Sequence, residues 1–137
     1  MAGARRRRQS DPAVHALLAS AHRALGEAEF ADSPGERFCA AHLGALRAAA
    51  ALLAERGRPA SARRRLVSVW VLLDAIAPEH ADWTAYFAAG APARAAVQAG
   101  ASGAVSARQA DDQLRAAGEF LALVEASLGL LAVPLAS

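Results

Sequence analysis

The chain has 137 residues, 55% of them hydrophobic, so it can form one domain with an apolar core but not two ordinary domains. Alanine is abundant and β-branched residues are scarce, a composition that favours helices and leaves little material for strands. The formal net charge is +2, and all 15 basic residues are arginine, which is typical of a GC-rich bacterial coding sequence.

The single cysteine and the distribution of apolar residues indicate in which cellular compartment the protein is expected. Cys39 is the only cysteine, so no intrachain disulfide can form and a reducing compartment is favoured. No uninterrupted apolar run reaches the ~20 residues of a membrane span, and the N-terminal segment lacks the apolar core of a secretion signal. We therefore expect a soluble, cytoplasmic protein with no membrane contact.

The first helix is predicted after an arginine-rich segment. Residues 1–9 contain Arg5 to Arg8 and no apolar periodicity, so we expect a disordered tail there. Ser10-Asp11-Pro12 is a typical helix start, and the helix should run to about Glu29. Its apolar stripe comprises Val14, Leu17, Leu18, Ala21, Leu25 and Ala28.

A second helix is predicted from Pro34 to Arg56. Ser33 supplies a capping hydroxyl, Glu36 can reach back to the cap, and Gly57 ends the run. Because the preceding connection is short, the first two helices should form an antiparallel hairpin. The apolar face, which also contains His42, comprises Phe38, Ala41, Ala45, Ala49, Leu52 and Leu53.

Shorter elements are predicted in the middle of the chain. The apolar segment from Val67 to Ile76 would also suit a buried strand, but nothing else in the chain could pair with a lone strand, so we predict a helix. A further helix should start at Pro78, and a break near Gly90 should lead to a short helical piece ending near Gly100.

A long final helix is predicted after Ser106, which forms a capping-box pattern with Gln109. Asp111 and Arg115 can pair across its outer face. Its apolar stripe comprises Ala110, Leu114, Ala117, Leu121, Val124 and Leu128. The elements together predict an all-α fold, an antiparallel bundle of four to five helices over residues 10–131, followed by a frayed C-terminus over residues 132–137.

The arginines divide unevenly between loops and helices. Nine lie in predicted loops, whereas the other six share the rest of the chain with all 13 acidic residues. Basic loops of this kind could contact RNA while the acidic body repels it, or they could form solvated linkers with no aromatic residue to stack a base. Beside the tail segment Arg5 to Arg8, the candidate RNA-binding residues are Arg56, Arg58, Arg63, Arg64 and Arg65.

Arg37 and His42 lie five residues apart on the second helix and are candidate catalytic residues. An imidazole can take the proton of a ribose 2′-hydroxyl while a guanidinium stabilises the phosphate, which amounts to metal-independent RNA cleavage. At about 100° per residue the two side chains point roughly 140° apart, so cleavage would require Arg37 of one protomer to approach His42 of another. The alternative is a hydrogen-bonded core histidine, since His42 lies on the apolar stripe.

Other catalytic and cofactor sites find no support in the sequence. The chain contains no P-loop, no Gly-x-Gly-x-x-Gly segment and no nucleophile elbow. The residues that could bind zinc match no short ligand spacing: His15, His22, Cys39 and His42. We therefore predict neither a metal nor a cofactor.

Several segments carry a family resemblance: Glu36-Arg37-Phe38-Cys39-Ala40-Ala41-His42-Leu43, Ala45 to Ala50, Ser68-Val69-Trp70 with Trp83, and the helix from Ala110 to Leu123. In this order they resemble a small actinobacterial family of HEPN (higher eukaryotes and prokaryotes nucleotide-binding) domains, over about residues 12–130. The resemblance implies an antiparallel helical bundle that frequently forms homodimers. It also implies, for the wider superfamily, an Arg-x4-6-His ribonuclease motif used in RNA processing and biological conflict, whose spacing Arg37 and His42 match.

Three functions follow as hypotheses. The first is an RNA-binding homodimer with weak or absent ribonuclease activity at Arg37 and His42. The alternative is a non-catalytic dimerisation or protein-interaction module that docks on a partner protein. The third is a small-ligand pocket behind Trp70 and Trp83, although aromatic residues at helical spacing usually form the core.

Overall fold

The structure is a computed structural model that describes residues 11–57, 68–101 and 103–129. Within these residues the protein consists of helices and contains no strand. The α-helices are α1 (Pro12–Glu29), α2 (Pro34–Arg56), α3 (Val69–Ile76), α4 (Ala81–Ala89), α5 (Ala91–Gln98) and α6 (Ala107–Ser127), with a 3-10 turn at Pro78–His80. Because α4 and α5 meet at Gly90, they can be counted as one broken helix, and the predicted all-α bundle of four to five helices is confirmed.

The helices α1 and α2 form the predicted hairpin. Asp11 caps α1, its carboxylate accepting a hydrogen bond from the Ala13 backbone N–H over 2.9 Å. The two helices approach closely at Gly44, where an added Cβ would lie 2.6 Å from Leu25 Cδ2. A glycine at this position therefore allows the side chain of α1 to pack directly on the backbone of α2.

The core is centred on α2, which packs against α1, α3, α5 and α6. Aromatic rings from three helices pack together in the core. The ring centroids of Trp70 (α3) and Phe87 (α4) lie 5.3 Å apart, and those of Phe87 and Phe120 (α6) lie 5.5 Å apart. Trp70 and Phe87 are buried, but Tyr86 is 42% exposed. The general tendency of aromatic residues at helical spacing to form the core does not extend to Tyr86, because α4 lies at the surface and turns only one side inward.

One end of the bundle brings three helix termini together. Arg37, at the start of α2, contacts Ala28 near the end of α1 and Asp111 near the start of α6. We call this end the Arg37 pole. It follows that α1 runs antiparallel to α2 and that α6 runs in the same direction as α2.

The contacts of Asp111 differ from the sequence prediction. Asp111 binds Arg37, whereas Arg115 Nη2 donates to Asp112 Oδ1 over 2.7 Å. On a helix, Arg115 can pair with a carboxylate three residues away as well as with one four residues away. In the folded protein, Asp111 pairs with Arg37 of α2 instead. The predicted tail (residues 1–9) and frayed end (residues 132–137) lie outside the described residues.

In the part of the chain that the structure describes, α2 is the one helix whose length and composition would suffice to cross a membrane. Its buried side is in contact with α1, α3, α5 and α6. The position of α2 at the centre of the bundle therefore accounts for its apolar character.

Candidate functional site

Arg37 lies in the first turn of α2 and links three helices. The turn is fixed by Ser33, whose Oγ accepts a hydrogen bond from the Glu36 backbone N–H over 3.2 Å. Arg37 Nε donates to the Ala28 carbonyl oxygen over 3.0 Å, and Nη1 donates to Asp111 Oδ1 over 2.8 Å. The guanidinium thus adds a hydrogen bond to the Ala28 carbonyl, which also accepts one from the Ala31 N–H, and pairs with a carboxylate, which is a structural use of its charge.

His42 lies inside the core, with 1% of the residue exposed. Its Nε2 donates a hydrogen bond to the Phe87 carbonyl oxygen over 3.0 Å, so the proton of the neutral ring lies on Nε2. The ring stacks on Phe38 with a centroid distance of 6.3 Å and meets Trp70 edge-on at 6.0 Å. Burial lowers the pKa of His42; the bond to the Phe87 carbonyl opposes this effect, and the charge of Arg94 adds to it. The imidazole is therefore neutral near pH 7.

The structure does not bring Arg37 and His42 to a common surface. Arg37 contacts Ala28 and Asp111 at the Arg37 pole, whereas His42 packs against the aromatic rings of α3 and α4. A second protomer could reach the enclosed imidazole only if the core opened. The described residues therefore do not form the predicted pair within one protomer, and the buried His42 is not accessible to Arg37 of a partner. This placement agrees with the alternative of a core histidine.

The predicted RNA-binding residues are described only in part. Arg56 lies at the end of α2, where Nη1 binds Glu79 Oε2 over 2.7 Å and approaches the Ile76 carbonyl oxygen at 3.4 Å. A hydrogen bond from its own backbone lowers the pKa of Glu79, and the bond from Arg56 lowers it further. The other candidates lie outside the described residues: Arg58, Arg63, Arg64 and Arg65.

The described part of the molecule is acidic. It contains seven arginines and all 13 carboxylate side chains, a formal charge of −6 with neutral histidines. The other eight arginines belong to residues 1–10 and 58–67. A polyanion would therefore be repelled by the described surface as a whole and attracted by the remaining segments.

The histidines and the cysteine that could bind zinc are dispersed. His22 Nε2 lies 2.9 Å from Glu125 Oε2, whereas His42 is in the core and Cys39 is half-buried. Burial raises the pKa of the Cys39 thiol and the charge of Arg94 opposes this effect, so the neutral thiol predominates near pH 7. Over residues 11–57, 68–101 and 103–129, no three His, Cys, Asp or Glu side chains are grouped in a way that could hold a metal ion.

A comparison with protein families matched residues 28–125 to the SAV_6107-like HEPN family, a span of well over half the chain. The chain belongs to the HEPN family. The resemblance seen in the sequence is thereby confirmed. Comparisons with curated proteins and with solved structures found no match.

This HEPN domain has a surface groove of about 430 Å³ between α4 and α6. We call it the α4–α6 groove, and its lining residues are Asp82, Trp83, Tyr86, Asp112, Arg115, Ala116 and Glu119. Burial raises the pKa of the Tyr86 phenol, Asp112 raises it further, and Arg115 opposes them. The groove therefore combines aromatic surface with an excess of carboxylates.

A second groove of the HEPN domain, of about 270 Å³, lies between α3 and α4 and is lined in part by the buried Trp70. It does not extend behind Trp83, which lines the α4–α6 groove instead. The small-ligand pocket predicted behind Trp70 and Trp83 is thus divided between two separate open grooves.

Two buried residues of α6 do not belong to the stripe predicted from the sequence. Phe120 is fully buried, and Gln113 is 2% exposed with no hydrogen-bond partner for its Nε2. Both continue the stripe at spacings of three from Ala110 and Ala117. The helical spacing could have identified them, but a glutamine on such a stripe is easily assigned to the surface.

Proposed function

We propose that this HEPN domain is a non-catalytic protein-interaction module that acts by binding a partner and not by cleaving RNA. The observation that carries the proposal is the enclosure of His42, which has 1% of its surface exposed and its Nε2 engaged by the Phe87 carbonyl. The acidic surface of the described residues also favours a protein partner over a nucleic acid.

The chemistry of cleavage supports this choice. A general base must lie within hydrogen-bond reach of the proton it removes, directly or through one water. In His42 the Nε2 atom already donates a hydrogen bond, and Nδ1 is buried without a partner. Since the lowered pKa also disfavours the imidazolium, His42 is poorly suited to act as the general acid that protonates a leaving group.

Arg37 is equally unsuited to stabilise a transferring phosphate. Its guanidinium is partly buried, with 29% of the side chain exposed, and it is already paired with Asp111 and with the Ala28 carbonyl. A phosphate would have to displace the Asp111 carboxylate and break the link between α1, α2 and α6. The two groups of the HEPN-type motif therefore have structural partners in this chain.

An RNA-decay assay tests the proposal. Purified wild type should degrade total RNA no faster than buffer, and Arg37→Ala should not differ from wild type. Arg47→Ala is the matched control, because Arg47 is a half-buried arginine of the same helix. Decay by wild type that is lost in Arg37→Ala and retained in Arg47→Ala would establish the nuclease and end the proposal.

RNA binding without cleavage is a second candidate function. It is favoured by the charge division, since eight of the 15 arginines lie in two short segments while the described residues carry −6. Retention of wild type on immobilised RNA should fall steeply between 50 and 200 mM salt, roughly tenfold or more for a few phosphate contacts. Replacing Arg63, Arg64 and Arg65 by alanine should weaken retention, and retention unaffected by salt and by this variant would remove the candidate.

A further inference from the structure

The turn between α1 and α2 carries the most exposed large apolar side chain of the described residues. Phe30 follows the last residue of α1 and is 85% exposed, whereas the other two exposed side chains of this kind, Val71 and Tyr86, line the two grooves. A single exposed apolar residue is common on protein surfaces. Phe30 differs because it lies at a turn outside both grooves, with nearly the whole ring available to a partner protein.

Carboxylates flank Phe30 on both sides. We call residues 27–36 the hairpin tip. It contains no basic residue and four exposed carboxylates: Glu27, Glu29, Asp32 and Glu36. Glu36 accepts a hydrogen bond from the Asp32 backbone N–H over 3.2 Å, but none of the four carboxylates forms an ion pair with another of the described residues. The hairpin tip therefore combines an exposed aromatic ring with uncompensated negative charge.

Two of these carboxylates lie where they disfavour the helix. Glu27 and Glu29 belong to the last turn of α1, which contains no basic residue. The C-terminal end of a helix dipole is negative, so carboxylates at this position reduce the stability of α1. The exposed ring of Phe30 adds nothing to the core either. Charges and an apolar ring that do not stabilise the fold, yet coincide at one turn, indicate a role in binding.

A basic amphipathic helix of another protein matches the hairpin tip. The apolar stripe of such a helix can cover the Phe30 ring, which gains free energy by leaving water. Lysine or arginine residues that border the stripe can pair with the carboxylates on either side of the ring. The negative end of the α1 dipole adds to this attraction. Charges arranged in this way steer the association and select against acidic partners.

The chain itself does not offer a matching surface in the parts considered so far. Asp11 and Phe30 lie at opposite ends of α1, about 27 Å apart along its 18 residues. An extended chain covers at most about 3.5 Å per residue, so the backbone of Arg5 stays within about 21 Å of Asp11 and does not reach the hairpin tip. The two grooves of a second copy are unsuitable, because the α4–α6 groove has three carboxylates against one arginine and the groove between α3 and α4 contains Asp74 and no basic residue.

We propose that the hairpin tip binds a basic amphipathic helix of a partner protein. Phe30 packs on the apolar stripe of that helix, and the carboxylates of the tip pair with the basic residues beside the stripe. The inference rests on the proposed interaction function and names its surface and the chemistry of its partner. In the isolated protein the tip is uncovered.

Isothermal titration calorimetry of the full chain with a synthetic peptide tests the inference. The probe is an amphipathic helical peptide with leucine on one face and lysine on the other. Wild type should bind it with a Kd that rises with salt, because the paired charges are exposed. Phe30→Ser should bind it about tenfold more weakly, since the ring no longer leaves water. A peptide of the same composition in scrambled order, which has no apolar stripe, should bind wild type and Phe30→Ser equally weakly.

Two matched charge variants separate the hairpin tip from a general effect of charge. Glu27→Gln/Glu29→Gln and Asp82→Asn/Glu119→Gln each remove two exposed carboxylates, the first pair from the tip and the second from the α4–α6 groove. The tip variant should bind the amphipathic peptide several-fold more weakly, although its Tm should rise because the negative end of α1 loses two like charges. The groove variant should bind the peptide like wild type. A merely structural role of the tip carboxylates would not weaken binding while raising Tm.

Acrylamide quenching of Phe30→Trp tests whether the hairpin tip is uncovered in the isolated protein. The added tryptophan should be quenched as readily as a tryptophan in a short peptide, and an excess of the amphipathic peptide should protect it. Both results are expected only if the tip is free before binding and covered by the peptide afterwards.

Three outcomes would overturn the inference. The first is a wild type that does not bind the amphipathic peptide, and the second is binding that Phe30→Ser or the tip charge variant leaves unchanged. The third is an added tryptophan that is already shielded in the isolated Phe30→Trp variant, which would mean that the chain itself or a second copy covers the hairpin tip. None of them bears on the RNA-decay assay, so failure of the tip is distinguishable from failure of the proposed function.

Discussion

The His42 imidazole donates its Nε2 hydrogen to the carbonyl oxygen of Phe87 across 3.0 Å, inside a shell of aromatic rings. Phe87 is the third residue before Gly90, where α4 ends and α5 begins. The Phe87 carbonyl oxygen also accepts a hydrogen bond from the Gly90 backbone N–H over 3.0 Å, so His42 supplies the second donor of a buried carbonyl at the end of α4. The histidine that suggested catalysis in the sequence therefore joins the middle of α2 to the end of α4.

The His42→Ala variant should be less stable and otherwise unchanged in function. Removing the ring leaves a cavity and removes one of the two hydrogen bonds that the Phe87 carbonyl oxygen accepts, which should cost about 2–4 kcal/mol of unfolding free energy. Urea unfolding followed by tryptophan fluorescence measures the loss. Wild-type stability in this variant would contradict the core role of His42.

Protonation of His42 should make stability depend on pH. The pKa of His42 in the folded protein lies below its ordinary value of 6.5, so below pH 6.5 the unfolded chain binds more protons and stability falls as the pH is lowered. The fall continues until the pH reaches the pKa of the folded state, and above pH 6.5 this contribution is fully present. Comparison of unfolding free energies at pH 7.5 and 5.5 should show a smaller decrease in His42→Asn than in wild type. The core variant Leu52→Ala, which removes no titratable group, serves as the control and should keep the wild-type decrease.

The contact between Arg37 and Asp111 should couple α2 to α6 weakly. Both side chains are partly exposed, at 29% and 61%, so a double-mutant cycle of Arg37→Ala and Asp111→Ala should give about 0.5–1 kcal/mol of coupling. Arg37→Ala alone should cost more than Asp111→Ala, because it also removes the hydrogen bond to the Ala28 carbonyl. Equal losses in the two single variants would show that this second bond adds nothing.

Two glycines should respond oppositely to alanine. At Gly44 the new Cβ would lie 2.6 Å from Leu25 Cδ2 and 3.0 Å from Leu25 Cγ, so Leu25 must change its rotamer or the helices must separate, and about 1–3 kcal/mol should be lost. At Gly118, within α6, nothing lies within 4 Å of the new Cβ, and the better helix former should add about 0.5–1 kcal/mol. Thermal unfolding of both variants measures the difference. A stabilising Gly44→Ala would mean that the hairpin is packed more loosely than described.

Local sequence signals predicted the helices well because each signal acts within a few residues. The Ser33 and Ser106 hydroxyls accept hydrogen bonds from backbone N–H groups in the first turn of α2 and α6, and Gln109 accepts one from the Ser106 N–H. These bonds form whatever the rest of the chain does. The stripe of α2 likewise predicted the burial of Phe38 and Leu52, because a helix with one apolar side must cover it. Such signals determine where helices begin and which side is buried.

The functional prediction depended on information that a single helix does not contain. The spacing of Arg37 and His42 shows that their side chains diverge, but only the packing of α4 decides that His42 meets a carbonyl, and only the approach of α6 gives Arg37 a carboxylate. Tyr86 and Phe87 are neighbours of the same type, yet one lines a groove and the other is buried, because α4 contacts the bundle on one side. The sequence by itself determined the all-helical architecture, the capped starts of α1, α2 and α6 and the HEPN membership, since these follow from capping, periodicity and residue order; the helix predicted from Pro78 instead begins at Ala81, after a 3-10 turn. The tertiary structure decided which polar groups are enclosed and which remain on the surface, because contacts between distant helices determine the burial of each side chain.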